Sequence, residues 1–212
     1  VNRFDAILFD FDGVLAESAD IKTRAFMSIY NSYGPTVVNA VIAHHKDNEG
    51  ISRVDKIRHC HHEILGIALD PEALDDVAQR YSEMVEDAVV AADWVPGARD
   101  FLDSFRDRLP MSIISGTPQE ELRRITAKRG MDHYFVSVRG SPPRKEPIID
   151  ELVSAGGWSA DRVLFVGDAM TDYRAAHTTG LHFIGRVVTG RPSPFPDGTP
   201  TIPDLIHLAD CL

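Results

Sequence analysis

Cysteine, aromatic residues and positive charge are all scarce in this chain of 212 residues, and long apolar runs are missing. The two cysteines, Cys60 and Cys211, stand at no spacing that binds a metal or defines a redox pair. Neither a disulfide framework nor a cysteine-based zinc motif is expected, and a reducing compartment is the default. No stretch approaches the length needed to span a bilayer. The opening Val1-Asn2-Arg3-Phe4-Asp5 passes directly into an apolar segment without the layout of a leader, so we expect a cytoplasmic protein with no membrane partner. Lys and Arg number 22 against 32 Asp and Glu, a net charge of -10 that argues against a nucleic-acid partner. The same deficit leaves room for a small anionic substrate, because a metal and a few local cations reverse the field inside one cleft. Hydrophobic and charged fractions of 43% and 25% are those of an ordinary globular protein, and the length allows one large domain or a core with an insert.

What is present begins with Ala6-Ile7-Leu8-Phe9-Asp10-Phe11-Asp12-Gly13-Val14. An apolar run ends abruptly in two carboxylates two residues apart, followed by a glycine. On a strand, residues i and i+2 point to the same side, so Asp10 and Asp12 can converge beyond its carboxyl end. Open parallel sheets bind their ligands in that place. Two acids there point to a metal site, an acid and nucleophile pair, or both.

After residue 93 short apolar runs alternate with helical periods. Strands are expected at Ala6 to Asp10, Met111 to Ser115, Tyr134 to Val138, Val163 to Gly167 and Leu181 to Gly185. Thr117-Pro118-Gln119-Glu120 reads as a capping box with proline at the first helical position. This alternation predicts an α/β fold, a Rossmann-like doubly wound parallel sheet covered on both faces. Residues 17–92 show helical patterns only. Gly34-Pro35 stops the first helix, Ser52 caps a third that runs to Gly66, and Asp70-Pro71 opens a fourth. We therefore expect an α/β core formed by residues 1–16 and 93–212, with residues 17–92 inserted as an all-helical cap domain. The proline-rich stretch Arg191 to Pro203 is expected to be a surface loop before a short terminal helix.

Three later segments repeat the geometry of the first, a polar group where a strand ends. These are Ser115-Gly116-Thr117, Lys145 at the opening of a helix, and Gly167-Asp168-Ala169-Met170-Thr171-Asp172. Each alone reads as a turn, a helix cap or a solvated lysine. In this order the chain resembles the haloacid dehalogenase superfamily of phosphohydrolases. The insert after the first motif is similar to the cap of its phosphoglycolate phosphatase and beta-phosphoglucomutase branch.

The resemblance implies a Mg²⁺-dependent phosphatase that hydrolyses a small organic phosphate monoester through an aspartyl-phosphate on Asp10. Asp12 would act as acid and then base, with its backbone carbonyl on the metal. Ser115, the Gly116 amide and Lys145 would hold the phosphate. Asp168 would complete the metal site, and Asp172 would ligate the ion or orient its neighbours. Four crowded carboxylates repel by about 4 kcal/mol per close pair at an intermediate dielectric, and a hard divalent cation removes that cost. Lys145 is the better match to the third motif, and the adjacent Arg144 is the alternative. A phosphomutase of the beta-phosphoglucomutase type would share every core residue, and a non-catalytic regulatory protein on the same fold is a third reading. A dehalogenase is disfavoured, because those relatives lack an aspartate at the position of Asp12.

Within the insert, Glu49 to Lys56 resembles the cap loop that relatives lower over the substrate. Gly50, Arg53 and Lys56 are the expected specificity residues, the two cations meeting the distal part of a small phosphorylated metabolite. His59-Cys60-His61-His62 suggests zinc, yet only His59 and His62 share a helical face, so a polar face is the better reading. A monomer or homodimer is expected.

Overall fold

The computed structural model describes residues 3–212. Six parallel strands make one sheet: β1 (Ala6–Phe9), β2 (Met111–Pro118), β3 (Ser137–Ser141), β4 (Val163–Gly167), β5 (His182–Arg186) and the short β6 (Thr201–Ile202). Helices α1 (Ala19–Tyr30), α2 (Pro35–Asp47), α3 (Arg53–His59), α4 (Pro71–Ala91) and α5 (Ala98–Phe105) lie between β1 and β2 in the chain. Helix α6 (Gln119–Lys128) follows β2, α7 (Lys145–Gly156) follows β3, and α8 (Met170–Thr179) follows β4.

The spatial order β3-β2-β1-β4-β5-β6 has one reversal of chain order, between β1 and β4. Crossover connections leave in opposite directions there and open a crevice at the carboxyl ends of those strands. Asp10 and Asp168 are the first residues past β1 and β4, so the topology brings them to the rim of this crevice.

Alternation along β1 explains the two covered faces. Ile7 and Phe9 belong to a core with Phe101 and Leu102 of α5 and Leu122 and Ile125 of α6. Ala6 and Leu8 belong to a second core with Ile148 and Ile149 of α7 and Ala175 and Ala176 of α8. Each large apolar side chain fully withdrawn from water contributes about 1.5–3 kcal/mol, which makes the register of β1 costly to slip.

The helical segment between β1 and α5 starts and stops where its caps dictate. Ser52 Oγ accepts from the Val54 amide at 3.2 Å, and Asp70 Oδ1 accepts from the Ala73 amide at 2.8 Å, with Pro71 next in line. Beyond α3 the chain continues as one π turn, Cys60–Ile64, before reaching Gly66. Helix α4 buries Leu74, Tyr81, Val85 and Val89 along one stripe. Its last carbonyls are closed from outside. Arg129 donates to Val89, Val90 and Ala92 at 3.0, 2.9 and 2.7 Å, which satisfies acceptors that a helix end leaves open.

The chain leaves and re-enters the sheet layer through two paired segments. Glu17 donates its amide to Asp93 at 2.9 Å, and Val95 donates to Leu15 at 3.1 Å. Arg186, at the end of β5, ties the loop after β1 to the C-terminal edge. Its guanidinium donates to the Pro203 carbonyl at 3.0 Å, to the Gly13 carbonyl at 3.1 Å and to both oxygens of Glu17.

Three local expectations need correction. The third strand runs from Ser137 to Ser141 and not from Tyr134, because Asp132–Tyr134 forms a 3-10 turn pinned by the Tyr134 hydroxyl donating to Asp103 at 2.6 Å. The proline-rich stretch contributes β6, paired in parallel with β5, so it is not only a loop. Thr117 and Pro118 belong to β2, and α6 begins at Gln119 without a side-chain cap, so the expected capping box does not form. The terminal segment is a 3-10 turn, Leu208–Cys211. No described helix is long and apolar enough to cross a membrane.

Candidate active site

Three carboxylates meet at the crevice. Oxygens of Asp10, Asp168 and Asp172 lie within 4.8 Å of one another, the one cluster of potential metal-ligating side chains among the described residues. Asp172 is held from two sides. One oxygen accepts from the Ala169 amide at 3.1 Å at the start of α8, and the other pairs with Lys145. Lys145 Nζ also reaches Asp10 Oδ1 at 2.8 Å. Lys145, Asp10 and Asp172 are all buried, whereas the neighbouring Arg144 is exposed and stands outside the cluster.

The electrostatics follow from this crowding. Burial lifts Asp10 well above the usual carboxylate range, with Asp172 and Asp12 adding to the effect and Lys145 opposing it. Burial likewise lifts Asp168, reinforced by Asp10 and Asp172. Lys145 moves the other way. Burial alone would depress it, but the Asp10 and Asp172 carboxylates outweigh that and keep it firmly cationic.

Asp12 is not part of the three-acid group. Its Oδ1 accepts from Ser18 Oγ at 2.6 Å, and its Oδ2 accepts from Thr117 Oγ1 at 3.1 Å and pairs with Lys22. Lys22 Nζ bonds Thr117 Oγ1 at 2.7 Å as well. Burial would raise Asp12, yet the Lys22 ammonium and these hydrogen bonds hold it below the ordinary range. Sequence reasoning missed Lys22; it named Thr117 only within the second motif and gave Ser18 no role. A signal for Lys22 existed, since Ala19, Lys22 and Phe26 share one face of α1 and all three line the same cavity.

Ser115 is buried at the end of β2, its Oγ accepting from the Thr117 amide at 3.1 Å. Gly116 has no room for a side chain, since a Cβ there would come within 2.5 Å of the Gly50 carbonyl oxygen. Gly50 has φ +84°, and a Cβ on it would lie 2.2 Å from Thr171 Oγ1. Thr171 Oγ1 donates to the Glu49 carbonyl at 2.5 Å. The loop before α3 thus lies directly on the strand ends, backbone against backbone. Gly13, φ +75°, is required in the same way, because a Cβ would sit 2.1 Å from Asp168 Oδ2.

The loop and helices α1–α4 roof a cavity of about 60 Å³ whose lining includes Asp10, Asp12, Asp168, Ser115, Lys22 and Lys56. All three cap residues expected from the sequence, Gly50, Arg53 and Lys56, line it. Arg53 is already engaged. Its guanidinium makes a bidentate pair with Glu121 of α6, donates to Ser82 Oγ at 2.6 Å and lies 4.5 Å from the Tyr81 ring centroid. The histidines of the insert bind no common centre: His44 stacks on His59 at 3.7 Å, and the one metal-type cluster among the described residues contains no histidine.

Known proteins share both the sequence pattern and the fold. The phosphoglycolate phosphatase of Synechococcus elongatus is 27% identical over 186 residues, covering 83% of this chain and 80% of that protein. The crystal structure of a predicted phosphoglycolate phosphatase from Haemophilus somnus superposes with a TM-score of 0.75 at 17% identity, covering 100% of this chain and 99% of the other. That of CbbY from Rhodobacter sphaeroides in complex with xylulose-1,5-bisphosphate superposes with a TM-score of 0.73 at 17% identity, covering 97% and 96%. The structural likenesses establish a shared fold. The sequence match that spans residues 7–186 goes further, and by it the chain belongs to the haloacid dehalogenase-like hydrolase family.

Proposed function

We propose that this protein is a Mg²⁺-dependent phosphatase that hydrolyses a small phosphate monoester through an aspartyl-phosphate on Asp10. The observation that carries the reading is the convergence of Asp10, Asp168 and Asp172 around Lys145 at the switch point of the sheet. The donor set fits the ion. Carboxylate oxygens are the ligands a hard divalent cation prefers, and the buried acids repel one another without one. Asp10, Asp168 and the Asp12 carbonyl would hold it, with Asp172 beside them. When bound, Mg²⁺ supplies positive charge that offsets the repulsion between the acids and the phosphate dianion.

The side chains divide the remaining work. The Asp10 carboxylate attacks phosphorus, and the bond from phosphorus to the ester oxygen breaks. Asp12 gives its proton to the departing alkoxide. A phosphate dianion beside Asp12 favours the protonated acid, countering Lys22. Water then attacks the phosphorus of the acyl phosphate while Asp12, again ionised, takes its proton, and Asp10 is released. Lys145, Ser115 and the Gly116 amide would stabilise the charge on the transferring oxygens. Residues 17–92 would act as a cap over a core of residues 1–16 and 93–212, rocking on the paired crossings at Leu15–Glu17 and Asp93–Val95 to admit substrate and exclude water.

The test is phosphate release from a panel of small phosphate esters with Mg²⁺ or EDTA. Turnover is expected with Mg²⁺ only, and Asp10→Asn lowers it by at least about 10³-fold. Acid quenching should recover phosphate bound to the wild-type chain and none on the variant. Turnover that survives Asp10→Asn would sink the reading.

A further inference from the structure

A second cavity, of about 460 Å³, shares a wall with the first. Gly50, Ile51, Ser115 and Gly116 line both, so this backbone is the partition between them. Lys145, whose ammonium reaches Asp10, also lines the second. The groups that would hold the transferring phosphate therefore border this space as well. Its lining carries Arg144, which the catalytic cluster leaves out, and Arg174, one helical turn beyond Thr171 on the same face of α8. Both arginines are exposed, and among the described residues neither has a hydrogen bond or an ion pair. The carboxylates opposing them are Glu146 and Asp55, and Asp55 is already paired with Arg58 at 2.9 Å. Buried donors complete the wall. Ser141 is 5% exposed at the end of β3, and its hydroxyl has no hydrogen-bond partner among the described residues. Helix α7 has Arg144 at its cap position, a side chain that cannot accept from the first amides, and the Lys145 and Glu146 amides find no acceptor among the described residues. A withdrawn hydroxyl without a partner is costly and an open helix start is positive, so one anion satisfies both.

Resting on the phosphatase reading above, we propose that this cavity is the exit through which inorganic phosphate leaves, and that Arg144, Arg174, Ser141 and the start of α7 bind it on the way out. The fastening of the insert argues for a separate exit. On the α6 side it is held firmly, by Arg53 on Glu121, by Arg124 and Lys128 on Glu86, and by Arg129 on the last carbonyls of α4. On the α8 side the loop of residues 48–52 is held by the Thr171 hydroxyl donating to the Glu49 carbonyl at 2.5 Å. A small lift of Gly50 and Ile51 joins the two cavities while the rest of the insert stays seated. Phosphate suits the donors, because a tetrahedral oxyanion accepts from guanidinium groups, a hydroxyl and helix amides together. The site needs no metal, since its two unpaired arginines outnumber its one unpaired carboxylate, Glu146.

The experiment titrates inorganic phosphate by calorimetry in EDTA into the wild-type protein, the double variant Arg144→Gln, Arg174→Gln, and Ser141→Ala. Without metal the crowded acids keep a phosphate dianion out of the catalytic site, so what binds reports the exit site. One phosphate per chain is expected. Ser141→Ala should weaken it by about tenfold and the double variant by about 100-fold, a factor of ten for each hydrogen bond to the anion. Both arginines are exposed, so the double variant should keep the wild-type unfolding midpoint. During turnover with Mg²⁺, phosphate at the exit blocks release while ester fills the catalytic site. Added phosphate should therefore inhibit the wild type with a component that saturating ester does not relieve, and the double variant should retain the competitive component alone. No binding in EDTA, binding that the arginine substitutions leave unchanged, or purely competitive inhibition of the wild type overturns the exit site while leaving a phosphatase. Arginine-dependent binding with no turnover of any ester overturns the phosphatase reading and upholds the anion site.

Discussion

Asp10 and Asp12 are separated by one residue and live in opposite surroundings. Burial, Asp172 and Asp12 itself lift Asp10, whereas Lys22, Ser18 and Thr117 more than offset the burial of Asp12. Such divergence between neighbouring carboxylates is how one site runs acid and base chemistry together. Lys22 is the residue on which the difference most depends, and its removal has a defined sign. Without the ammonium, Asp12 binds its proton more tightly, so the pH at which it ionises rises. Lys22→Met is therefore expected to move the acidic limb of the kcat profile to higher pH and to lower kcat near neutrality by about tenfold. An unshifted limb would mean that Lys22 only packs. The role of Lys22, unlike its helical face, was not legible in the sequence for a physical reason. Helical periodicity identifies the face of α1 on which it lies, but its partners Asp12 and Thr117 lie across the fold, and Thr117 is 95 residues away.

Among the elements, those written in local periodicity were legible. Strands β1 and β4 and the starts of α3 and α4 follow from apolar runs and capping residues, and the four acids at the strand ends follow from the strands. Where a local rule met a distant partner, the local rule lost. Thr117-Pro118-Gln119-Glu120 satisfies a capping pattern, yet the Thr117 hydroxyl is taken by Asp12 and Lys22, and the strand continues through Pro118. Arg53 reads as a substrate contact until Glu121 of α6 is placed opposite it. That pair joins α3 to α6 at 5% and 3% side-chain exposure, so each partner depends on the other. Arg53→Met or Glu121→Gln alone should cost about 3–5 kcal/mol in urea unfolding, because each leaves one buried charge unpaired. The double variant Arg53→Met, Glu121→Leu should recover most of the loss. Simple additivity of the two single effects would show that the pair is not coupled.

Over the whole molecule, acidic residues outnumber basic ones, 32 to 22, while the cavity holds the cations Lys22, Lys56 and Arg53. Because Asp10, Asp12, Glu49 and Asp168 line the same cavity, an approaching phosphate ester meets a repulsive exterior before it reaches an interior whose attraction would come from the bound Mg²⁺ together with these cations. Salt screens the first over about 8–10 Å and scarcely touches the second. Raising ionic strength from low to physiological should therefore increase kcat/KM for an anionic ester, with little change in kcat. A fall would mean that the pocket's cations govern encounter at long range.

Arg186 makes the order in which the site is completed differ from the order in which the chain is made. The loop that carries Asp10, Asp12 and Gly13 follows β1, the strand that precedes all the others in chain order. Its tether, through the Gly13 carbonyl and Glu17, is nearly the whole chain away, and that tether is itself steadied by Pro203. A nascent chain that has finished β1, β2 and β3 thus has its first two acids and no anchor for the loop that aims them. The site therefore matures well after its first motif has been made, because the residue that anchors the loop lies 173 positions further along the chain.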